Sequence, residues 1–218
     1  MGPQTPPADL SPVLDSVLLV TRGGPFFIHP ERDAAHGFRI EARQESDCRD
    51  FRDPGLRSFD LFVLPADLLA SLAPDERPWP TIAYGEGMEA AAAFGVGALD
   101  FLRIRWPASE LYARIERLRR PRFRWRGAEA VLSGEALEIL EPGSPAPRRL
   151  ALGGEEARIL RLLAAARGGE VPRRALQGRG SAKALSMRIS RLRRTLENFA
   201  PGLGEAIVAR RGVYLFLP

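Results

Sequence analysis

Five short apolar runs separated by helix-like segments constrain this chain more than any other feature in it. Ser16–Thr21, Phe38–Ala42, Phe59–Leu64, Pro80–Tyr84 and Ala98–Ile104 are apolar enough to be strands buried on both faces, as the strands of a parallel sheet are. Between or after them, segments near Glu31–Ala35, Glu45–Arg52, Ala66–Leu72, Glu86–Phe94 and Ala108–Arg120 read as helices. Parallel neighbours need crossover connections and helices supply them, so the alternation predicts one doubly wound α/β domain over residues 16–120. Residues 1–15 are Pro-rich and are expected to form a disordered tail.

The second half carries a different pattern. In SAKALSMRISRLRRTLE, from Ser181 to Glu197, Leu185, Ile189, Leu192 and Leu196 recur at helical spacing and define one buried stripe. Lys183, Met187, Ser190, Arg191 and Arg194 collect on the opposite face, with Arg188 and Arg193 on its flanks. Shortly after it, IVARRGVYLFLP reads as two short strands joined at Arg210, Arg211 and Gly212, a basic hairpin within reach of the helix. Upstream, Glu155–Arg167 is a helix with Ile159, Leu160, Leu162 and Leu163 in its apolar pattern, and GGEVPRRALQ supplies a turn and a short helix with Pro172 at its start. Before these, FRWRGAEAVLSGEALEILEPGSPAPRRLAL alternates between Gly and Pro punctuation as several short antiparallel strands. Strands, three helices and a terminal hairpin in this order predict an α+β winged helix over residues 122–218 that binds double-stranded DNA.

Charge follows the same division. Residues 121–218 hold 18 Lys and Arg against 9 Asp and Glu, and the remainder holds 14 against 18, giving a net charge of +5 for the chain. Segregated basic charge gains affinity for DNA by releasing counterions, and leaves base choice to a few side chains. A basic amphipathic helix alone also suits a solvated surface, a membrane surface or a calmodulin target. The order of the surrounding elements is what points to DNA.

Residues from about 122 to 218 resemble the effector domain of the OmpR/PhoB family of response regulators. The resemblance is carried by RRLALGGEEARILRLLAAARGGEVPRRAL, similar to the family's strand and first two helices, by LSMRISRLRRTL, similar to its recognition helix, and by ARRGVYLF, similar to its wing. It implies that Lys183, Ser186, Met187, Arg188, Ser190, Arg191 and Arg194 on the helix, with Arg210 and Arg211 on the wing, contact DNA. Arg211 and Val213 stand where the family's wing has glycines, so the turn and its phosphate contacts are expected to differ. VGALDFLRIRWPASELYARIERLRR resembles the last strand and helix of the family's receiver domain, a flavodoxin-like fold with a five-stranded parallel sheet, and residues 16–120 follow receiver spacing. The resemblance further implies a homodimer built on about residues 86–120, reading two half-sites of an operator.

The chemistry of a receiver is missing. A receiver accepts a phosphoryl group on an Asp ending its third strand, next to an acidic pair that holds Mg²⁺, a hydroxyl after the fourth strand and a Lys after the fifth. Here the acidic pair falls on Thr21 and Arg22, the acceptor on Pro65, the hydroxyl near Tyr84 or Gly85, and the Lys on Ile104 followed by Arg105. This is a degenerate phosphorylation pocket without carboxylates for a metal, so phosphorylation by the standard route is not expected. Asp67 is the nearest substitute acceptor, two residues late and on the following helix, and Arg22, Arg103 and Arg105 are expected to be solvated or salt-bridged.

Other motifs assign no chemistry. YGEGMEA places Gly85, Gly87 and Ala90 in dinucleotide-site spacing, but after the fourth strand and with Arg103 and Arg105 where an acidic residue is needed, so it reads as a loop. Glu31, Asp33, Glu45 and Asp47 have no partner base or nucleophile. Cys48 is the single cysteine and His29 and His36 the only imidazoles, so no internal disulfide and no metal cluster is expected. No cofactor and no enzymatic activity are expected. The absence of a long apolar run and of a signal-like N-terminus predicts a cytoplasmic protein without a membrane partner. Two further readings remain: an adaptor whose receiver-like half binds a protein or small ligand and whose winged helix contacts RNA polymerase, and an enzyme using the α/β half as a nucleotide site.

Overall fold

The computed structural model describes residues 16–23, 37–48, 50–177 and 181–218. The Pro-rich segment 1–15, the helix expected at Glu31–Ala35 and both histidines lie outside these residues.

Strands β1 (Ser16–Thr21), β2 (Arg39–Gln44), β3 (Leu61–Pro65), β4 (Thr81–Gly85) and β5 (Asp100–Arg103) form a parallel sheet in the order β2-β1-β3-β4-β5. This is the flavodoxin-like order expected of a receiver-like half. Side chains alternate across the pleat and so feed two cores. On one face Val17, Leu19, Val63, Ile82 and Leu102 pack against Leu111, Tyr112, Ile115 and Leu118 of helix α3 (Ala108–Arg119). On the other, Leu18, Val20, Phe62, Leu64 and Ala83 meet Ala66 and Leu69 of α1 (Ala66–Ser71) and Ala93 of α2 (Ala90–Gly95).

One expected helix does not form. Among the described residues of 45–52 there is a single 3₁₀ turn, Glu45–Asp47, and a turn at Phe51 and Arg52. The Asp50 carboxylate accepts the Arg52 N–H at 2.8 Å and that of Asp53 accepts the Gly55 N–H at 2.7 Å. These local side-chain bonds offer the backbone an alternative to the helix. The segment at Glu86–Phe94 likewise starts as a 3₁₀ turn, Gly87–Glu89, before α2.

Residues beyond α3 build a four-stranded antiparallel sheet from β6 (Arg122–Trp125), β7 (Ala128–Ser133), β8 (Ala136–Leu140) and β9 (Arg148–Ala151). Helices α4 (Gly154–Ala165), α5 (Arg173–Gln177) and α6 (Ala182–Phe199) follow. A three-stranded sheet, ordered β10 (Val171–Pro172), β12 (Val213–Phe216), β11 (Ile207–Arg210), completes this half. Pro172 ends β10 instead of opening the short helix, which starts one residue later. Ser181 caps α6, its hydroxyl accepting the Ala184 N–H at 3.2 Å. Leu185, Ile189, Leu192 and Leu196 enter a core with Ile159, Leu160 and Leu163 of α4, Leu137 of β8 and Phe216 of β12.

The two halves are packed together. Only Arg120 and Pro121 separate α3 from β6. Helix α3 lies against α4, Ala165 joins the core beneath α3, and Trp79 packs against the core of the second half. No helix among the described residues is long and apolar enough to cross a membrane.

Candidate functional site

The outer face of α6 and the hairpin turn both expose basic side chains. Lys183, Ser186, Met187, Ser190, Arg191 and Arg194 are all exposed, because they stand opposite the stripe that the core takes up. Arg188 turns aside: its Nη1 pairs with Glu155 of α4 at 3.1 Å. Ser186 Oγ donates to the Ala182 carbonyl at 3.1 Å and accepts from Arg173 Nη2 at 3.0 Å. Arg193 ties the helix to the hairpin by donating Nε and Nη2 to the Ile207 carbonyl at 3.1 and 2.8 Å.

Arg210 and Arg211 are exposed at the hairpin tip. Arg211 has φ +30° and Gly212 +87°, so both central residues have positive φ, as in a type I′ two-residue hairpin. Arginine thus takes a backbone position that glycine fills at less cost. The Gly212 carbonyl accepts the Arg173 N–H at 2.9 Å, which anchors the turn to α5. Arg173 therefore touches both basic elements, through its backbone to the hairpin and through its side chain to α6. No sequence signal separates it from its neighbour Arg174.

At the C-terminal edge of the parallel sheet, Thr21, Arg22, Pro65 and Ile104 stand at the strand ends. Thr21 is buried and its hydroxyl donates to the Arg43 carbonyl at 3.3 Å. The Arg22 guanidinium bridges two carboxylates, with Nε and Nη2 on Glu45 and Nη1 on Asp67. Pro65 ends β3, Asp67 lies in the first turn of α1, and Ile104 donates its N–H to the Gly85 carbonyl at 2.8 Å. Hydrogen bonds to Glu45 and Asp67 raise the Arg22 pKa. Burial pushes Asp67 up, but the Arg22 hydrogen bond, the Leu68 N–H and the Arg22 charge outweigh it and leave the carboxyl below the usual range. Both groups are charged at neutral pH, and the pocket carries its own cation. Tyr84, buried against Trp106, donates its hydroxyl to the Val20 carbonyl at 2.7 Å, and burial pushes its pKa up to about 12.

The glycine loop after β4 serves itself. Glu86 and Glu89 form a reciprocal cap, with the Glu86 N–H donating to the Glu89 carboxylate at 2.6 Å, and a Cβ at Gly85 would run into that carboxylate. A carboxylate of the chain itself therefore takes up a backbone N–H of this loop. Among the described residues no group of His, Cys, Asp or Glu is arranged to hold a metal ion. Cys48 is buried, which pushes its thiol pKa up.

No family model and no curated protein matches the chain. Similar solved structures include a point mutant of RitR, 17% identical, with a TM-score of 0.31 over 93% of this chain and 98% of that one. Another is a streptococcal protein described as one of a family of redox sensors evolved from two-component response regulators, 17% identical, with a TM-score of 0.30 over 92% of this chain and 98% of that one. Similarity this low transfers no property to the chain.

Sequence reasoning also missed Arg161. It is 3% exposed, and its Nε donates to the Arg119 carbonyl at 3.1 Å and its Nη2 to the Gly134 carbonyl at 2.7 Å. A signal existed: Arg161 falls midway between Ala157 and Ala165, both buried, and so on the inner face of α4.

Proposed function

We propose that this protein is a DNA-binding transcription regulator of the response-regulator type that works in the cytoplasm without phosphoryl transfer. The observation that carries the reading is the division of α6 into a stripe sealed in the core and an exposed basic face beside the Arg210–Arg211 turn. In this reading residues 122–218 are a winged helix, α6 enters the major groove, and the β11–β12 hairpin meets the adjacent minor groove or backbone. Lys183, Met187, Ser190, Arg191 and Arg194 reach base edges or phosphates. Arg188 contributes to DNA contact only by leaving Glu155.

A homodimer through residues 86–120 completes the reading. That stretch exposes Met88 (89%), Phe94 (50%) and Ile104 (47%), apolar surface of the kind a partner covers. The nearby Asp100 carboxylate is taken up within the chain by Arg114 and Arg117, which leaves the apolar residues to make the contact. Two copies related by a twofold axis present two α6 helices to half-sites about 10 bp apart. Contact with RNA polymerase would follow binding at a promoter.

The test is selection of bound duplexes from a random-sequence library by the purified full-length protein. The expected outcome is a recurring paired motif that outcompetes random duplex. A library returned unenriched sinks the reading.

A further inference from the structure

We infer that the two halves of this chain are locked into one rigid body through Arg161, so that the DNA it takes is a pair of half-sites at one fixed spacing and orientation. The statement about DNA rests on the function proposed above, whereas the lock stands on the structure of the chain itself.

The junction leaves no slack. A flexible linker of n residues spans about 5–6 Å × √n and lets its domains tumble. Here Arg120 and Pro121 are the whole connection. The Arg120 N–H is spent on the Glu116 carbonyl at 2.9 Å, Pro121 is buried with its φ set by its ring, and the Pro121 carbonyl accepts the Leu132 N–H at 3.1 Å.

Arg161 then joins three elements. The last carbonyls of a helix have no intrahelical donor. One of these, on Arg119 at the end of α3, is satisfied by a guanidinium from α4, whose other arm holds Gly134 in the turn between β7 and β8. A cation at a helix C-terminus is placed where the backbone dipole favours it. Burial lowers the Arg161 pKa although the Glu135 charge opposes it, and with carbonyl oxygens as the hydrogen-bond partners the contact contributes orientation more than net stability. A second attachment lies elsewhere on the interface: Trp79 packs against the core of the second half, and the Arg174 guanidinium donates to the Pro74 carbonyl. One contact beside the junction would leave rotation about it, and the loop carrying Pro74 and Trp79 removes that freedom.

The locked form keeps the basic face of α6 exposed. In a dimer built on residues 86–120, the distance and angle between the two α6 helices are then set by protein packing. Adding one base pair between half-sites moves one of them by about 3.4 Å and rotates it by roughly 35°. A rigid dimer cannot follow.

Pulsed electron paramagnetic resonance on the full-length protein decides the lock. Nitroxides go on Ser71→Cys and Asn198→Cys, exposed sites in the two halves, in a Cys48→Ala background. The expected result is one narrow distance distribution that broadens when Arg161→Met is combined with a short Gly-Ser insertion between Arg120 and Pro121. A broad distribution in the unmodified chain overturns the lock, and an unchanged narrow one in the decoupled variant removes Arg161 and the junction as its cause. The DNA arm uses duplexes recovered from a random library. One inserted base pair should lower the affinity of the wild type by about a hundredfold, as expected when geometry forbids simultaneous engagement, and should barely affect the decoupled variant. Equal tolerance in both proteins overturns the fixed spacing. Recovery of no duplex together with a narrow distribution overturns the DNA-binding reading and leaves the lock standing.

Discussion

Arg22 sits half-exposed between Glu45 and Asp67, whereas Arg161 is buried with carbonyl oxygens as its partners, and the two make different kinds of claim about stability. The Asp67 carboxyl titrates lower in the folded chain than in the unfolded one. Its contribution is therefore present above the unfolded pKa of about 3.9 and is lost as pH falls through the folded value. Because the pair is exposed, it is worth roughly 0.2–1 kcal/mol. Asp67→Asn should melt slightly below wild type at neutral pH and converge with it in strong acid. Thermal melts across that range check this, and a constant gap down to about pH 2 would show that the ion pair is not the cause. Lys183, Arg191 and Arg194 present their charges to solvent instead. Replacing each by Ala should leave the melting temperature nearly unchanged and weaken binding to a selected duplex by about 1–3 kcal/mol wherever a base contact is lost. Unchanged binding in all three variants would move the interface off α6.

Helix α6 shows how far local pattern reaches. Leu185, Ile189, Leu192 and Leu196 are sealed because their spacing follows the helical period, and a period is a property of neighbouring residues. Leu192→Ala should cost about 2–5 kcal/mol in chemical denaturation, since it opens a cavity between α6 and α4. A variant as stable as wild type would mean that the stripe is not what holds the helix. Glu45–Arg52 shows the opposite case. Its helical reading lost to Asp50 and Asp53, whose side chains bond the backbone two residues on. That competition was written in the sequence, in residue types that favour turns over helices.

At the scale of the chain, residues 16–120 form a receiver-like parallel sheet. Its strand ends hold Thr21, Arg22, Pro65 and Ile104, and the cation that a metal would supply is already present as Arg22. Acetyl phosphate or beryllofluoride with Mg²⁺ should therefore change neither the oligomeric state nor the affinity for a selected duplex, as read by analytical ultracentrifugation and binding titration. A donor-dependent shift to dimer, abolished by Asp67→Asn, would make Asp67 a displaced acceptor. The exposed Met88, Phe94 and Ile104 surface is available with or without a donor, so the dimer should already be present in untreated protein.

The parallel α/β half and the amphipathic α6 were legible because runs of apolar residues, strand alternation and helical period are short-range properties. The residue types Thr21, Arg22, Pro65 and Ile104 at the strand ends were read directly from the sequence, whereas the meeting of the Glu45 and Asp67 carboxylates on Arg22 was not. Partners far apart in the chain were not. Arg22 meets Asp67, Arg161 meets Arg119 and Gly134, and Arg188 turns to Glu155 because elements fold back on one another. Periodicity places a side chain on a face of its own helix or strand. Which carbonyl or carboxylate that face meets depends on how the elements pack, and there a guanidinium on the outside of α6 stays exposed while one on the inside of α4 bonds the Arg119 and Gly134 carbonyls.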